Sequence, residues 1–409
     1  MGRTCVFGCL LAMASAGCAD DADVEQPSTS TGTGGAGGTG SGASGGGGAA
    51  AGGASSCIEQ WTDGTTEPDS SGPDTQIHGT SVFDGSQLWV AWNRPDDGSL
   101  FDIWLAAFGC DGSLITGPVE VTQSSDNELD PALSVSGDRL IVPWGSDNGT
   151  GPDNLDIRYR FFDLNGDALT DSIELAATRN GVPVTGNALN PALAPMEDGW
   201  VLAGAWGHAD APAFQAFAVE LDHDGAVQGD AQDAELDAAF GQTATAVAVD
   251  ASGVHLAWQE DSTTSTAPTA WSTTLGGTPT LLGDPGGRPH VAPGPWYVWD
   301  SDGSDIVVKA PGGTATQFGL TGVVHDAQLA VIEGEATALW MEVVSGVRNR
   351  VHLSPLAADG TPGVTTTLAT EGAPAVYPID LTMIDSSHAV VVYQDGTSPS
   401  FRLKADWIT

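Results

Sequence analysis

A short strand pattern that ends in a bulky aromatic residue recurs along the chain and limits its fold more than any other feature. Each copy alternates small and apolar residues and is followed by a polar turn, as in the stretch from Leu88 to Trp92. The seven copies end at Trp92, Trp144, Trp206, Trp258, Trp299, Trp340 and Tyr393. Their spacing of 41 to 62 residues lies around the ~40–50 residues of a four-stranded propeller blade.

The residues around each copy predict three more strands per unit. A short strand precedes the aromatic one and is often opened by proline, as at Pro131 and Pro191. A third strand follows and ends in an Asn-Gly or Asp-Gly pair, which supplies the positive φ that tight hairpins need. One such unit cannot bury its own faces, whereas units arranged radially bury them against each other. We therefore predict an all-β, seven-bladed β-propeller, with six blades and an additional sheet as the alternative.

The first 17 residues have the pattern of an export signal. Arg3 precedes an apolar stretch that ends near Ala16 and is shorter than the ~20 apolar residues of a membrane-spanning helix. Small residues then lead to Cys18, as in a lipobox, although Ser15 stands where leucine is usual. We expect residues 1–17 to be a signal peptide and Cys18 to be lipidated. An ordinary secretory signal, cut after Ala16, is the alternative.

Residues 18–56 are predicted to be a disordered tether. From Gln26 to Ser56 the chain is almost entirely Gly, Ala, Ser and Thr, without an aromatic residue. Such a segment cannot bury enough apolar surface to offset the entropy lost on ordering. A flexible tether is most useful to an anchored protein, so it supports lipidation and a place in the cell envelope, at the outer membrane or cell surface. The alternative is that the protein is secreted.

The cysteines predict one disulfide in the propeller domain, residues 57–409. Cys5 and Cys9 leave with the signal and Cys18 takes lipid, so that Cys57 and Cys110 remain and pair in an oxidising compartment. The last unit has only three strands. We predict that the segment from Cys57 to Trp61 supplies its fourth strand and closes the ring, and that the disulfide fixes this closure.

The composition excludes some partners. There are 12 Lys and Arg residues against 53 Asp and Glu, a net charge of −41. Nucleic acid and anionic lipid surfaces would be repelled by such a chain, so membrane contact is expected only through the lipid anchor. The acidity indicates solubility more than cation binding. We expect a monomer whose protein or glycan ligand the sequence does not specify.

One acidic cluster resembles a calcium loop. Asp300, Asp302 and Asp305 alternate around a glycine, as in loops that bind calcium through carboxylates. The distal glutamate of an EF-hand is missing, and a solvated turn between two strands is the favoured explanation of the cluster. Calcium is therefore the one cofactor that the sequence suggests, and no other cofactor is expected.

No catalytic motif stands out. The chain has no Gly-x-Ser-x-Gly nucleophile elbow, its eight histidines are scattered, and 53 acidic residues make some carboxylate pair inevitable. Neither the tryptophan–aspartate repeat signature nor the sialidase Asp-box is present. We assign no catalytic residue from the sequence.

The tether and the propeller units together resemble a group of bacterial lipoproteins in which a low-complexity tether carries propeller repeats, mostly of unknown activity. This resemblance implies a binding or scaffold module on the cell envelope and favours a non-enzymatic role. The alternative is an extracytoplasmic polysaccharide hydrolase or lyase with carboxylates at the propeller axis.

Overall fold

A computed structural model describes most of the chain from Cys57 onward. The described residues are 57–70, 72, 75–95, 100–147, 155–179, 181–183, 188–207, 214–234, 241–261, 268–301, 305–319, 323–343, 350–368, 376–397 and 400–409. The predicted signal, Cys18 and the tether lie outside them. No helix within the described ranges is long and apolar enough to cross a membrane.

Seven antiparallel sheets follow one another along the chain, and β1 (Gly64–Thr66) joins the last of them. Blade 1 contains β2 (Ile77–Phe83), β3 (Leu88–Pro95), β4 (Phe101–Phe108) and β5 (Leu114–Glu120). Blade 2 contains β6 (Asn127–Leu129), β7 (Ser134–Ser136), β8 (Arg139–Asp147), β9 (Leu155–Asp163) and β10 (Ile173–Glu174). After the hairpin of β11 (Thr178–Arg179) and β12 (Val182–Pro183), blade 3 contains β13 (Ala188–Met196), β14 (Gly199–Gly207), β15 (Phe214–Asp222) and β16 (Val227–Asp233).

The other four blades have the same plan. Blade 4 contains β17 (Gly241–Asp250), β18 (Gly253–Asp261), β19 (Thr269–Thr274) and β20 (Thr280–Gly283), and blade 5 contains β21 (Gly287–Ala292), β22 (Trp296–Ser301), β23 (Asp305–Lys309) and β24 (Ala315–Gly319). Blade 6 contains β25 (Val323–Ile332), β26 (Glu335–Val343), β27 (Arg350–Leu356) and β28 (Thr366–Leu368), and blade 7 contains β29 (Val376–Met383), β30 (Ala389–Thr397) and β31 (Ser400–Ile408). The first strand of each blade forms one edge of its sheet. First strands of neighbouring blades contact each other, so these edges surround the axis.

The apolar core is divided among the seams between blades. The described residues form seven hydrophobic clusters, and each cluster combines residues of two consecutive blades, with one shared by blades 7 and 1. Each recurrent aromatic residue is buried and packs against the preceding blade, as Trp144 does in the cluster of blades 1 and 2. Seven seams close a ring of seven, which confirms the predicted seven-bladed propeller.

Polar side chains connect the inner edges of blades 6, 7 and 1. In blade 6, the Gln328 side-chain oxygen accepts a hydrogen bond from the Leu381 backbone N–H at 3.1 Å, and its amide donates to the Ile379 carbonyl. In blade 7, the Asp380 carboxylate accepts from the Ser81 N–H at 2.6 Å and from its hydroxyl at 2.7 Å. Backbone groups at an unpaired sheet edge are costly when buried, and these side chains satisfy them.

The chain closes the ring as predicted, but with a different segment. β1 pairs with β31, Gly64 opposite Trp407 and Thr66 opposite Ala405, and is the outermost strand of blade 7. The predicted strand from Cys57 to Trp61 is instead a helical turn, in which the Gln60 N–H donates to the Cys57 carbonyl at 3.0 Å. That prediction was wrong because the turn holds Cys57 at Cys110, which leaves only the residues after it to reach β31.

Aspartates stabilise the turns on the face opposite the start of the first strands. In each of seven turns an aspartate carboxylate accepts the backbone N–H two residues later, at 2.7–3.0 Å; these residues are Asp84, Asp111, Asp163, Asp222, Asp250, Asp359 and Asp385. This is the arrangement by which aspartate favours turns. The bonds from Ser113 lower the pKa of Asp111, and those from Thr361 lower the pKa of Asp359. Part of the chain's acidity is therefore structural.

The pKa of Asp380 is shifted upwards, opposite to the pKa shifts of these turn aspartates. Burial raises the pKa of its carboxyl to about 7, although the bonds from Ser81 lower it. The folded protein therefore binds this proton more tightly than the unfolded chain does. The resulting contribution to stability is complete below the unfolded pKa of 3.8 and is lost as the pH rises towards about 7.

Asp380→Asn keeps an oxygen that accepts the bonds from Ser81 and removes the ionisation. Relative to the wild type, we expect the variant's free energy of unfolding to increase between about pH 5 and about pH 8, by ~1–3 kcal/mol, since one pKa unit corresponds to ~1.4 kcal/mol. Urea unfolding at both pH values measures this change. Asp359→Asn is the control, because its lowered pKa affects stability only in acid. If Asp380→Asn and the wild type differ in free energy of unfolding by the same amount at both pH values, the raised pKa of Asp380 is contradicted.

Candidate functional site

The first strands of blades 1 to 5 share one irregularity at the axis. Near the start of each, the pairing with the second strand shifts register. One residue at each shift has a φ of 40–54° without being glycine. These residues are His78, Asp130, Asn190, Ala244 and Arg288, and we name them the mouth ring. Left-handed φ costs about 1–2 kcal/mol in such residues, and backbone strain of this kind concentrates at functional sites.

Blades 6 and 7 carry the same shift. The register with the second strand breaks between Val324 and Asp326 in blade 6 and between Val376 and Asp380 in blade 7. His325 occupies the equivalent position in blade 6 by register, and Tyr377 does so in blade 7. The side chains of these two residues lie outside the described part of the structure.

His78 and Asp130 form an ion-pair contact across the seam between blades 1 and 2. Nδ1 of His78 lies against Oδ1 of Asp130, and neither atom has another hydrogen-bond partner. The side chains are 20% and 10% exposed, so the imidazole remains accessible while the carboxylate is nearly buried. A carboxylate at Nδ1 fixes the tautomer and leaves Nε2 to accept a proton. The pair therefore has the composition of an acid–base centre.

Arg288 is the cation of the mouth ring. Its backbone N–H donates to the Gln259 side-chain oxygen at 3.0 Å, which fixes the strained residue to blade 4. Its guanidinium Nε lies 3.5 Å from Oδ2 of Asp300, a carboxylate 8% exposed. The guanidinium side chain is itself 25% exposed, so one end balances a buried charge while the rest is accessible.

The charge of Arg288 also acts on blade 6. Burial raises the pKa of Asp326 to about 6; the Arg288 charge opposes this rise and the Asp300 charge adds to it. Asp326 accepts the Ile379 backbone N–H of blade 7 at 3.1 Å. The axial carboxylates of blades 6 and 7 are thus bonded to neighbouring backbone. In the mouth ring, His78 and Arg288 are the partly exposed ionisable side chains, and Asp130 is nearly buried.

The predicted calcium cluster is divided by the structure. Asp300 is a buried residue of β22 beside Arg288, and Asp305 begins β23 and accepts from the Gln317 amide. Asp302 lies outside the described residues. Among the described residues no group of three or more His, Cys, Asp or Glu side chains is arranged to hold a metal ion. Calcium binding stays a prediction.

The structure joins Cys57 to Cys110 as a disulfide. Their Cα atoms are 5.2 Å apart and both residues are 3% exposed. The bond lies in the hydrophobic cluster shared by blades 7 and 1. Cys18, the predicted lipidation site, lies outside the described residues.

Two surface grooves lie away from the axis. One, of about 400 Å³, runs between the segment after β1 and the outer strands of blade 1, with Phe108, Leu114 and Pro118 in its wall. The other, of about 290 Å³, lies between blades 4 and 5 beside Tyr297 and Lys309. Neither contains a mouth-ring residue.

Sequence reasoning did not identify the mouth ring as a site. Asp130, Asn190 and Arg288 each precede a proline that opens a first strand, and this shared position was the available signal. Aligning His78-Gly79 with those Pro-opened strands would have placed His78 one blade from Asp130. The contact itself depends on how the two blades meet, which a single sequence does not show.

Arg288→Ala would leave the buried Asp300 carboxylate without its cation. Breaking a buried ion pair costs ~3–5 kcal/mol, and partial exposure of the guanidinium reduces this, so we expect a loss of about 2–3 kcal/mol in chemical denaturation. Adding Asp300→Asn should restore part of it by removing the unpaired charge. Arg158→Ala is the matched control, because its partner Glu174 lies at a comparable 3.6 Å and is 63% exposed, and a surface pair contributes under ~1 kcal/mol. Equal losses for the two single variants would show that Arg288 is a surface cation.

No protein-family model matches the sequence, and no curated protein matches it. Among solved structures, the fold is similar to the α-L-arabinanase of Penicillium chrysogenum in complex with arabinobiose, with a TM-score of 0.51 and 12% identity over 73% of this chain and 99% of that one. It is also similar to the Trypanosoma rangeli sialidase in complex with the inhibitor DANA, with a TM-score of 0.53 and 12% identity over 85% of this chain and 58% of the sialidase. At such low identity these likenesses show that the chain has the β-propeller fold.

Proposed function

We propose that the protein is an exported carbohydrate-active propeller that cleaves a polysaccharide at the mouth ring. The main observation that supports this proposal is the contact between His78 and Asp130. It places a partly exposed imidazole against a nearly buried carboxylate, and both residues have strained backbone. Strained backbone and a paired titratable group in one place are features of catalytic sites. Two propellers of similar fold, an arabinanase and a sialidase, act on glycans by name, which supports this class of substrate.

The chemistry assigned to the pair is general acid–base catalysis. Asp130 orients the imidazole. Nε2 of His78 takes a proton from a water molecule as the water oxygen bonds to the anomeric carbon and the glycosidic C–O bond breaks. The departing glycosidic oxygen takes a proton from solvent, and His78 later returns its own proton to solvent. Such a residue contributes roughly 10²–10⁴-fold to a rate. Arg288 donates hydrogen bonds to sugar or ring oxygens from the accessible part of its guanidinium.

The charge of the chain favours a neutral polysaccharide. A net charge of −41 repels polyanions that come close to the surface, and at physiological salt this repulsion acts mainly within a Debye length of ~8 Å. A uronate polymer would meet this repulsion on approach, whereas a neutral glycan would not. Hydrolysis suits a neutral glycan, while elimination needs a uronate.

A binding or scaffold module is the second candidate. Its support is that Asp326 and Asp380, the buried axial carboxylates of blades 6 and 7, are committed to backbone hydrogen bonds. Paired carboxylates are the usual machinery of glycoside hydrolysis, and these two hold the ring together instead. In this case the mouth ring would bind a glycan without cleaving it.

Cleavage is tested with the domain from Cys57 onward on neutral polysaccharides (arabinan, xylan, mannan and β-glucan), with pectin and alginate as charged comparators. New reducing ends report hydrolysis, and an ultraviolet-absorbing unsaturated product reports elimination. We expect reducing ends from a neutral polymer and a fall in kcat of about 10²-fold or more for His78→Ala and Asp130→Asn. Asp359→Asn, on the opposite face, should leave kcat unchanged.

The outcomes separate the two candidates. Glycan binding without cleavage, weakened by His78→Ala, would favour the binding module. An unsaturated product from the charged polymers would replace hydrolysis by elimination. Cleavage that survives both mouth-ring substitutions would overturn the assignment of the pair.

We further propose that the chain is anchored to the cell envelope through lipid on Cys18. The support is the signal-like residues 1–17, the small residues before Cys18 and the Gly-rich stretch after it. Metabolic labelling of the full chain with a radioactive or clickable fatty acid should mark the wild type and not Cys18→Ser. The variant should also move from the membrane fraction to the soluble fraction. Equal labelling of both would contradict the anchor.

A further inference from the structure

The chain enters the propeller on the face opposite the mouth ring. β2 starts at the mouth ring, and β4 runs in the same direction because both are antiparallel to β3. The residues after the end of β4 therefore lie on the other face, which we name the hairpin face. Cys110 follows β4 there and is bonded to Cys57, the first described residue.

The strand that closes the ring is short. β1 has three residues, which pair only with β31 at the outer edge of blade 7. Two side-chain bonds reinforce it, from the Thr65 hydroxyl to Oδ1 of Asp406 at 2.6 Å and from the Thr66 hydroxyl to the Gly112 carbonyl at 3.2 Å. If β1 were lost, blade 7 would keep three strands and its last strand would gain a free edge.

The disulfide lies between this strand and everything upstream. Cys57 precedes β1 in the chain, so a force applied to residues before it reaches the disulfide first. From there the force passes to Cys110 in blade 1, inside the hydrophobic cluster that blades 7 and 1 share. In that cluster Cys57 and Cys110 pack with large buried side chains such as Phe108 and Trp407.

We propose that the Cys57–Cys110 disulfide is a mechanical junction, which passes tension from the N-terminal segment into blade 1 and keeps it off β1. The anchor on Cys18 proposed above is the source of this tension. The junction is independent of any catalytic activity.

The two force paths differ in strength and extension. Without the disulfide, tension acts on a three-residue strand held by hydrogen bonds, which can open one after another. Opening releases the segment from Cys57 to Asp69, roughly 12 residues, which extend by about 40 Å at ~3.5 Å per residue. Asp69 itself is held to blade 1 by the Arg94 guanidinium at 2.7 Å. With the disulfide, that segment is bypassed and tension meets the packed seam directly.

Single-molecule force spectroscopy tests this on the chain from residue 18 to residue 409 in a Cys18→Ser background. One handle is attached at residue 18 and the other at Thr278, an exposed residue of blade 4, so that β31 and its partner β1 are not pulled directly. In the oxidised protein we expect no extension of about 40 Å before the main unfolding event. In the Cys57→Ser, Cys110→Ser double variant we expect that early step at low force. If the double variant does not fold, the folded wild-type protein treated with a reductant serves the same purpose.

Thr65→Ala is the matched control, because it weakens β1 and leaves the disulfide intact. It should lower the force of the early step in the protein without the disulfide and leave the oxidised protein unchanged. An early step in the oxidised protein, or a lower first unfolding force when Thr65→Ala is added to it, would overturn the proposal. Either result leaves the glycan-cleavage proposal untouched, since no mouth-ring residue is altered.

Discussion

The free edge of each first strand is the constraint on which this propeller depends. Seven sheets present an unpaired edge to the axis, and a buried unpaired backbone group is costly. In blades 5, 6 and 7 a side chain of the first strand accepts a hydrogen bond from a backbone N–H of the next blade. His290 accepts from Leu329 at 3.3 Å, Gln328 accepts from Leu381, and Asp380 accepts from Ser81. These bonds fix the offset between neighbouring blades. Burial also lowers the pKa of His290 to about 4, which keeps its ring neutral and able to accept that bond.

The mouth ring is a consequence of the same geometry. A register shift near the start of each first strand turns one residue into left-handed φ, and bulges of this kind re-aim side chains at functional positions. Because the shift recurs from blade to blade, the turned residues lie near the starts of the first strands of blades 1 to 5. Across one seam this brings an imidazole against a carboxylate, His78 against Asp130. This contact thus depends on a repeated backbone irregularity and not on a contiguous motif.

The aspartates of the chain have different environments, and different pKa shifts, on the hairpin face and at the axis. On the hairpin face, aspartates such as Asp111 and Asp359 hold turns and have lowered pKa values. At the axis, Asp326 and Asp380 are buried and have raised ones. The first group loses its stabilising effect as the pH falls below about 4, and the second as the pH rises towards neutrality. Residues of one type therefore oppose each other in their pH dependence.

The sequence by itself determined the blade, because strand alternation, aspartate–glycine turns and the recurrent aromatic residue are local signals that repeat. It also indicated that the N-terminal part of the domain closes the ring. Only the tertiary structure decided that β1, and not the segment from Cys57 to Trp61, pairs with β31, and that His78 meets Asp130. Both depend on how distant segments meet across a seam. Such contacts depend on the packing of whole blades, and no local pattern encodes them.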